Sequence, residues 1–195
     1  MDTIQIIGGN RLKGKIKISG SKNSALPILA ATLLTNVSIK LYNVPDLSDV
    51  SSMINLLESL NVIVCKKKKN SYELKASHPK SLYASYELVR KMRASFLILG
   101  PLLTKYGTAK VSLPGGCAIG TRPVDIHLEN LQKMGAEFSI KDGYVEGKLK
   151  KKFSGATINF RKKSVGATEN IIMAATLAEG RTIINNAAME TEIAD

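Results

Sequence analysis

The chain has 195 residues, 44% of them hydrophobic and 23% charged, with six prolines, a profile that is globular and excludes disorder or a fibrous repeat. The opening lacks a basic segment followed by an apolar one, and the longest mostly apolar stretch, Ser24 to Leu34, is too short to span a bilayer. A soluble, cytoplasmic protein with no membrane partner is expected. The net charge of +12, dense at Lys66 to Lys69 and at Lys148, Lys150, Lys151 and Lys152, raises the question of a polyanionic partner. Aromatics are only 5% and no nucleic-acid motif accompanies the lysines, so nucleic acid ranks last and a small phosphorylated substrate fits the charge equally well. Cys65, Cys117 and the two histidines have no metal-ligand spacing, so neither a disulfide framework nor a metal site is suggested.

In chain order, "GSKNSALP" leads into "LAATLLTNVSIKL" from Leu29, which reads as a buried helix, a turn and a strand over Val37 to Leu41. "LSDVSSMINLLESLNVIVCKK" follows as a helix with Val50, Met53, Ile54, Leu57 and Leu60 on its apolar face. It feeds a strand at Val62 to Cys65, where Cys65 is expected to be inert core. "KMRASF" precedes "LGPLLTKYGTAKVSL" from Leu99, a second helix and strand, the strand over Ala109 to Leu113. "RPVDIHLENLQKMGAEFSIKDGYVEGKL" repeats the apolar helix, with Ile126, Leu128, Leu131 and Met134, and then strands. Last come "KKSVGATEN" and "MAATLAEGRTIIN" from Met173, with a strand over Thr182 to Ile184.

Ala-Ala-Thr-Leu stands in the same register in the segments from Leu29 and Met173, and the segment from Leu99 is a weaker copy, so one unit recurs roughly every seventy residues. The third copy reaches Asp195 about where the second helix of the unit should begin, and a chain cut within a unit is expected. The composite is an α+β (α/β) fold.

Three segments place polar, basic and small residues just ahead of a buried helix, whose first N–H groups and positive dipole end favour phosphate or carboxylate. In "SGSKNSALP" either Ser21 or Lys22 can cap, Lys22 supplies charge, and Pro27 is expected near the first turn. In "KKSVGATEN" Ser164 is the natural cap, and Gly166 and Ala167 leave the backbone open to a ligand. "KMRASF" is the third. Taken singly, each is more often an ordinary helix start.

The loop "LPGGCAIGTRPVD" brackets Cys117 with Gly115, Gly116 and Gly120, a composition suited to closing over a substrate. With Arg122 five residues on, the Cys117 thiolate is favoured and the group can act as nucleophile or proton donor. Read alone, the loop is equally a long turn with an incidental thiol.

At "GSKNSALPILAA", "RKMRAS", "VSLPGGCAIGTRPVDIHLENLQKMGA" and "KSVGATENIIMAATLAEG" the chain closely resembles the UDP-N-acetylglucosamine enolpyruvyl transferases, in order and end to end. The resemblance implies an inside-out α/β barrel domain of the enolpyruvyl transferase type. Such a domain is built from βαβαββ repeats with pseudo-threefold symmetry, here with the third repeat truncated. It further implies that residues 1–21 are an N-terminal strand region belonging to the other domain of a chain about twice as long, and that residues 22–195 form the substrate-binding domain, incomplete at its C-terminal end.

Carried over by position, the resemblance makes Lys22 a ligand of phosphoenolpyruvate and Asn23 a contact to the amino-sugar of UDP-N-acetylglucosamine. Arg93 and Arg122 would hold phosphate and nucleotide oxygens, for which a planar fork is suited. Arg122, Pro123, Val124, Asp125 and Ile126 would line the uridine pocket, and Lys162, Ser164, Val165 and Gly166 the diphosphate. Cys117 would deliver a proton to the enolpyruvyl methylene carbon, form a covalent adduct with phosphoenolpyruvate and be alkylated by fosfomycin. No cofactor and no metal are implied. The acidic residue that accepts the sugar hydroxyl proton, and a further Arg, would lie in a second half of the enzyme, which becomes an expected partner of this chain. Two other readings remain: a non-catalytic remnant that still holds a UDP-sugar, and an enolpyruvylshikimate phosphate synthase-like enzyme, against which the Cys117 loop argues.

Overall fold

A computed structural model describes residues 3–79, 81–90, 92–114 and 124–194. Residues 3–20, expected as a strand region, form no helix or strand in this chain, and Ile4, Ile6, Ile7, Leu12, Ile16 and Ile18 are exposed. Ser21 is the N-cap of α1 (Lys22–Ala31), its hydroxyl oxygen accepting from the Ser24 N–H at 3.2 Å. Pro27 sits in the body of α1 instead of its first turn, and so withholds the bond that the Asn23 carbonyl would otherwise accept. A 3-10 turn over Thr32–Leu34 leads to β1 (Ile39–Leu41). The strand is shorter than predicted because the Val37 N–H turns back to the Thr35 hydroxyl at 3.1 Å, which leaves Val37 exposed ahead of the sheet.

The apolar face of α2 (Ser48–Ser59) is Val50, Met53, Leu56 and Leu57, all buried. It is followed by a hairpin of β2 (Val62–Lys68) and β3 (Ser71–Ala76). Cys65 is exposed here, not core. The strand alternates, with Val62 and Val64 turned inward and Ile63 and Cys65 outward, so its apolar run covers one face only. Next come β4 (Tyr83–Ala84), α3 (Tyr86–Val89), a 3-10 turn over Arg93–Ile98 and α4 (Leu99–Tyr106). Gly107 ends α4 at a φ of 74°, its N–H donating to the Leu103 carbonyl at 2.8 Å, and opens β5 (Thr108–Ser112).

After α5 (Asp125–Lys133), β6 (Ala136–Lys141) and β7 (Tyr144–Leu149) are joined by Asp142 and Gly143, both at positive φ, which is the turn that matches the twist of a tight hairpin. The last elements are β8 (Thr157–Asn159), α6 (Val165–Ala175), β9 (Ile183–Asn185) and α7 (Thr191–Ala194).

Among the described residues three sheets result, in the orders β1-β3-β2, β4-β5-β7-β6 and β8-β9. The β4–β5 and β8–β9 pairs are parallel and the others antiparallel. The helices that open the three repeats, α1, α4 and α6, lie inside. Leu99 to Leu103 of α4 and most of α6 are buried, whereas the sheets keep an outward face, on which Ile63 and Ile140 are exposed. α4 and α6 touch at Gly100, whose N–H donates to Asn170 Oδ1 at 2.6 Å, and at Thr104, whose hydroxyl donates to the Ala174 carbonyl at 2.9 Å. Lys105 Nζ donates to the Leu33 carbonyl at 2.8 Å and so ties the end of α4 to the turn after α1. This interior arrangement brings the starts of the repeated helices to one side.

Candidate functional site

The starts of α1, of the 3-10 turn before α4 and of α6 meet around a cleft of about 390 Å³, lined among others by Lys22, Asn23, Arg93, Val124 and Gly166. The three anion-favouring segments, roughly seventy residues apart in sequence, therefore open onto one space. Each begins a helix or 3-10 turn there, where first-turn N–H groups favour an anion, and Lys22 and Arg93 are the cations of two of them.

Lys22 Nζ pairs with Asp49 Oδ2 at 2.9 Å, with both side chains partly open to solvent. Such a pair contributes little to stability, so Lys22 can exchange Asp49 for an anion at small cost. Ser164 caps α6, its hydroxyl oxygen accepting from the Ala167 N–H at 3.3 Å, and Val165 lines the adjoining opening with Asn23 and Arg93. Asp125 and Ile126 begin α5 beside Val124. Asp125 Oδ1 accepts from the Ile126 N–H at 2.8 Å, and its other oxygen is ion-paired with Arg161. Lys162 is exposed just ahead of the α6 cap. Cys117, Arg122 and Pro123 lie outside the described residues.

Sequence reasoning missed Asp49, His127, Glu169 and Asn170. His127 lines the cleft and is nearly buried, with Phe96 edge-on at 5.3 Å. Its pKa is pushed down to about 4, first by burial and then by the Arg93 charge, against which Asp125 acts weakly, so the ring is neutral at physiological pH. Asn170, fully buried, contacts it. The Asn170 Nδ2 lies 3.1 Å from His127 Nδ1 and also donates to the Phe96 carbonyl at 3.1 Å. Glu169 lines the same cleft, nearly buried, with its carboxyl pushed up to about 7 by burial and then by Glu192 and Glu190. The available signal was the run Thr168, Glu169, Asn170 inside an otherwise apolar helix. Among the described residues, no three His, Cys, Asp or Glu side chains gather where a metal ion could be held, and no helix is long and apolar enough to cross a membrane.

A cleft so equipped can hold an anion with two cations and helix-end N–H groups while offering neutral polar groups at its wall. In comparisons with known proteins, the family model described as EPSP synthase (3-phosphoshikimate 1-carboxyvinyltransferase) matches residues 6–195. A UDP-N-acetylglucosamine 1-carboxyvinyltransferase of Pelagibacter ubique is 54% identical over 195 residues, covering 100% of this chain and 46% of that protein. Proteins of the same name from Campylobacter hominis and Coxiella burnetii are 53% and 50% identical, over 99% and 100% of this chain and 46% and 45% of theirs. The chain thus spans about half the length of the curated relatives it matches. In structure it is similar to the enolpyruvyl transferase NikO from Streptomyces tendae, at a TM-score of 0.81 and 19% identity over 96% of this chain and 44% of that one. It is also similar to EPSP synthase from Acinetobacter baumannii, at 0.74 and 15% over 93% and 42%. These two likenesses show the α/β fold.

Proposed function

The chain belongs to the family of EPSP synthase (3-phosphoshikimate 1-carboxyvinyltransferase), and from that premise we propose that it carries the substrate cleft of a transferase moving the enolpyruvyl group from phosphoenolpyruvate to UDP-N-acetylglucosamine. This is a cytoplasmic step of peptidoglycan synthesis. The observation that supports it is the convergence of Lys22, Asn23, Arg93 and Gly166 on one cleft, since two phosphorylated substrates need cations and N–H groups from separate elements in one place. The names of relatives 50–54% identical supply the choice of acceptor.

In this reading the sugar hydroxyl oxygen bonds to C2 of the enolpyruvyl group as C3 takes a proton. Phosphate then leaves C2 as C3 returns a proton. Cys117 delivers the proton and is the adduct site. Lys22 holds phosphoenolpyruvate oxygens, with Arg93 and Arg122 on phosphate and nucleotide oxygens. Asn23 meets the amino-sugar, Arg122 to Ile126 the uridine, and Lys162, Ser164, Val165 and Gly166 the diphosphate. These cations stabilise charge that persists through the transition state, and the glycine loop excludes competing water. Residues 1–21 are assigned to a second domain, whose sheet the exposed isoleucines would enter. Residues 22–195 form a three-unit inside-out barrel that is incomplete in its third unit. The proton acceptor for the sugar hydroxyl belongs to the half of the relatives' length that this chain does not span, so turnover requires that half as a partner.

The test is mass spectrometry of the chain with fosfomycin, with and without UDP-N-acetylglucosamine. One adduct on Cys117, accelerated by the nucleotide, is expected, and exposed Cys65 is the internal control. Equal labelling of both thiols, indifferent to the nucleotide, contradicts the reading. Binding of UDP-N-acetylglucosamine without any adduct would leave a sugar-nucleotide-binding remnant. Preferential binding of shikimate 3-phosphate would move the chain to the other branch of the family.

A further inference from the structure

Asn170 determines which nitrogen of His127 carries the proton. The Gly100 N–H can only donate, and it points at Asn170 Oδ1 from 2.6 Å, so the amide oxygen must face it and the NH2 group must face the other way. That NH2 meets two groups, the Phe96 carbonyl and His127 Nδ1, each at 3.1 Å. Turning the amide over would set an NH2 against the Gly100 N–H, two donors with no acceptor. His127 Nδ1 is therefore the acceptor, and the ring proton resides on Nε2. A protonated ring would place two donors face to face at Nδ1, which agrees with the depressed pKa.

With Nδ1 occupied, the Cε1–Nε2 edge is turned to the cleft wall. A methyl group built on Gly166 would lie 3.4 Å from Cε1 and 3.6 Å from Nε2, and Nε2 has no hydrogen-bond partner among the described residues. We propose that His127, locked as the Nε2–H tautomer by Asn170, is a ligand-binding residue that donates this N–H to an oxygen of the sugar nucleotide beside Gly166. Asn170 acts through it as a positioning residue. The inference rests on the reading of the cleft as a sugar-nucleotide site. Its physical use is a donor that adds no third cation next to Lys22 and Arg93, so it selects by direction where they select by charge. Gly166 is small enough to let the ligand reach it.

The tautomer is tested without any ligand, by the 15N shifts of the histidine rings in the unmodified chain, assigned with a His78→Gln control. Two unlike nitrogens, with Nδ1 unprotonated and Nε2 protonated, are expected for His127. The reverse pattern, or a charged ring at pH 7, overturns the proposal. Calorimetric titration with UDP-N-acetylglucosamine tests the donor. His127→Leu is expected to weaken binding about tenfold or more, and His127→Gln, whose amide NH2 can reach the Nε2 position, to recover much of it. Equal affinity for all three proteins overturns the donor role. If the unmodified chain does not bind the nucleotide at all, the proposed function and the ligand half of this inference fall together, while the ring shifts still decide the tautomer.

Discussion

α1 and α6 begin two copies of one unit, yet they fill matching positions differently. Where the first copy has Ser24, Ala25 and Leu26 ahead of Leu29, the third has Thr168, Glu169 and Asn170 ahead of Met173, all three buried. An apolar residue at the last of these positions packs, as Leu26 does and as Phe96 does in the second copy. A buried amide there must find partners, and it finds the Gly100 N–H, the Phe96 carbonyl and His127. The repeat accounts for the fold, and its departures from apolar packing fall at the cleft.

The largest effect is expected where the second and third copies press together, at α4 and α6. Gly100→Ala would drive a methyl group into the Asn170 carbonyl and amide oxygens, both far inside contact distance and both held by α6. A loss of about 3 kcal/mol is expected in urea unfolding, whereas Ala30→Gly, at the matching place in α1, is expected to lose about 1 kcal/mol. Similar losses from both would dissolve the distinction between the copies. Restoring the first copy's residue by Asn170→Leu leaves the Gly100 N–H unpaired, and about 1 to 3 kcal/mol is expected for that group. The His127 ring should become free to exchange tautomers.

Smaller effects appear in pH dependence. Glu169 is raised from its ordinary 4.5 to about 7, so the folded chain prefers it protonated. Its contribution to stability is whole below about pH 4.5 and is lost as pH rises through about 7. Glu169→Gln should match the parent near pH 4.5 and exceed it in melting temperature at pH 8. His127 acts in the opposite direction. Its ordinary 6.5 falls to about 4, so its contribution is present above 6.5 and is lost as pH falls towards 4. The smallest expected effect is at the α1 end, where Asp49→Asn removes the partner of Lys22 and should change stability by no more than about 1 kcal/mol while tightening anion binding.

Much of this was legible in the sequence. The repeat located the three buried helices, the Ser164 cap stands where the sequence placed it, and Ser21 is the one of the two candidates that caps α1. The misreadings have physical causes. Cys65 looked like core because an apolar run does not say which of its alternating faces is covered, and only pairing with Glu73 on β3 turns it outward. Val37 looked like strand because its apolar β-branched side chain favours one, and the competing bond from its N–H to the Thr35 hydroxyl, two residues back, was overlooked. His127 was passed over, since its surroundings depend on Asn170 and, through it, on Gly100, both distant in sequence.

The central claim is that the three helix starts form one anion site. It is tested most directly by following the backbone amide resonances of the chain during titration with UDP-N-acetylglucosamine. Saturable shifts at Asn23, Ala94 and Gly166 sharing one dissociation constant are expected. Shifts at only one of the three, or shifts confined to the lysines from Lys66 to Lys69, would contradict it.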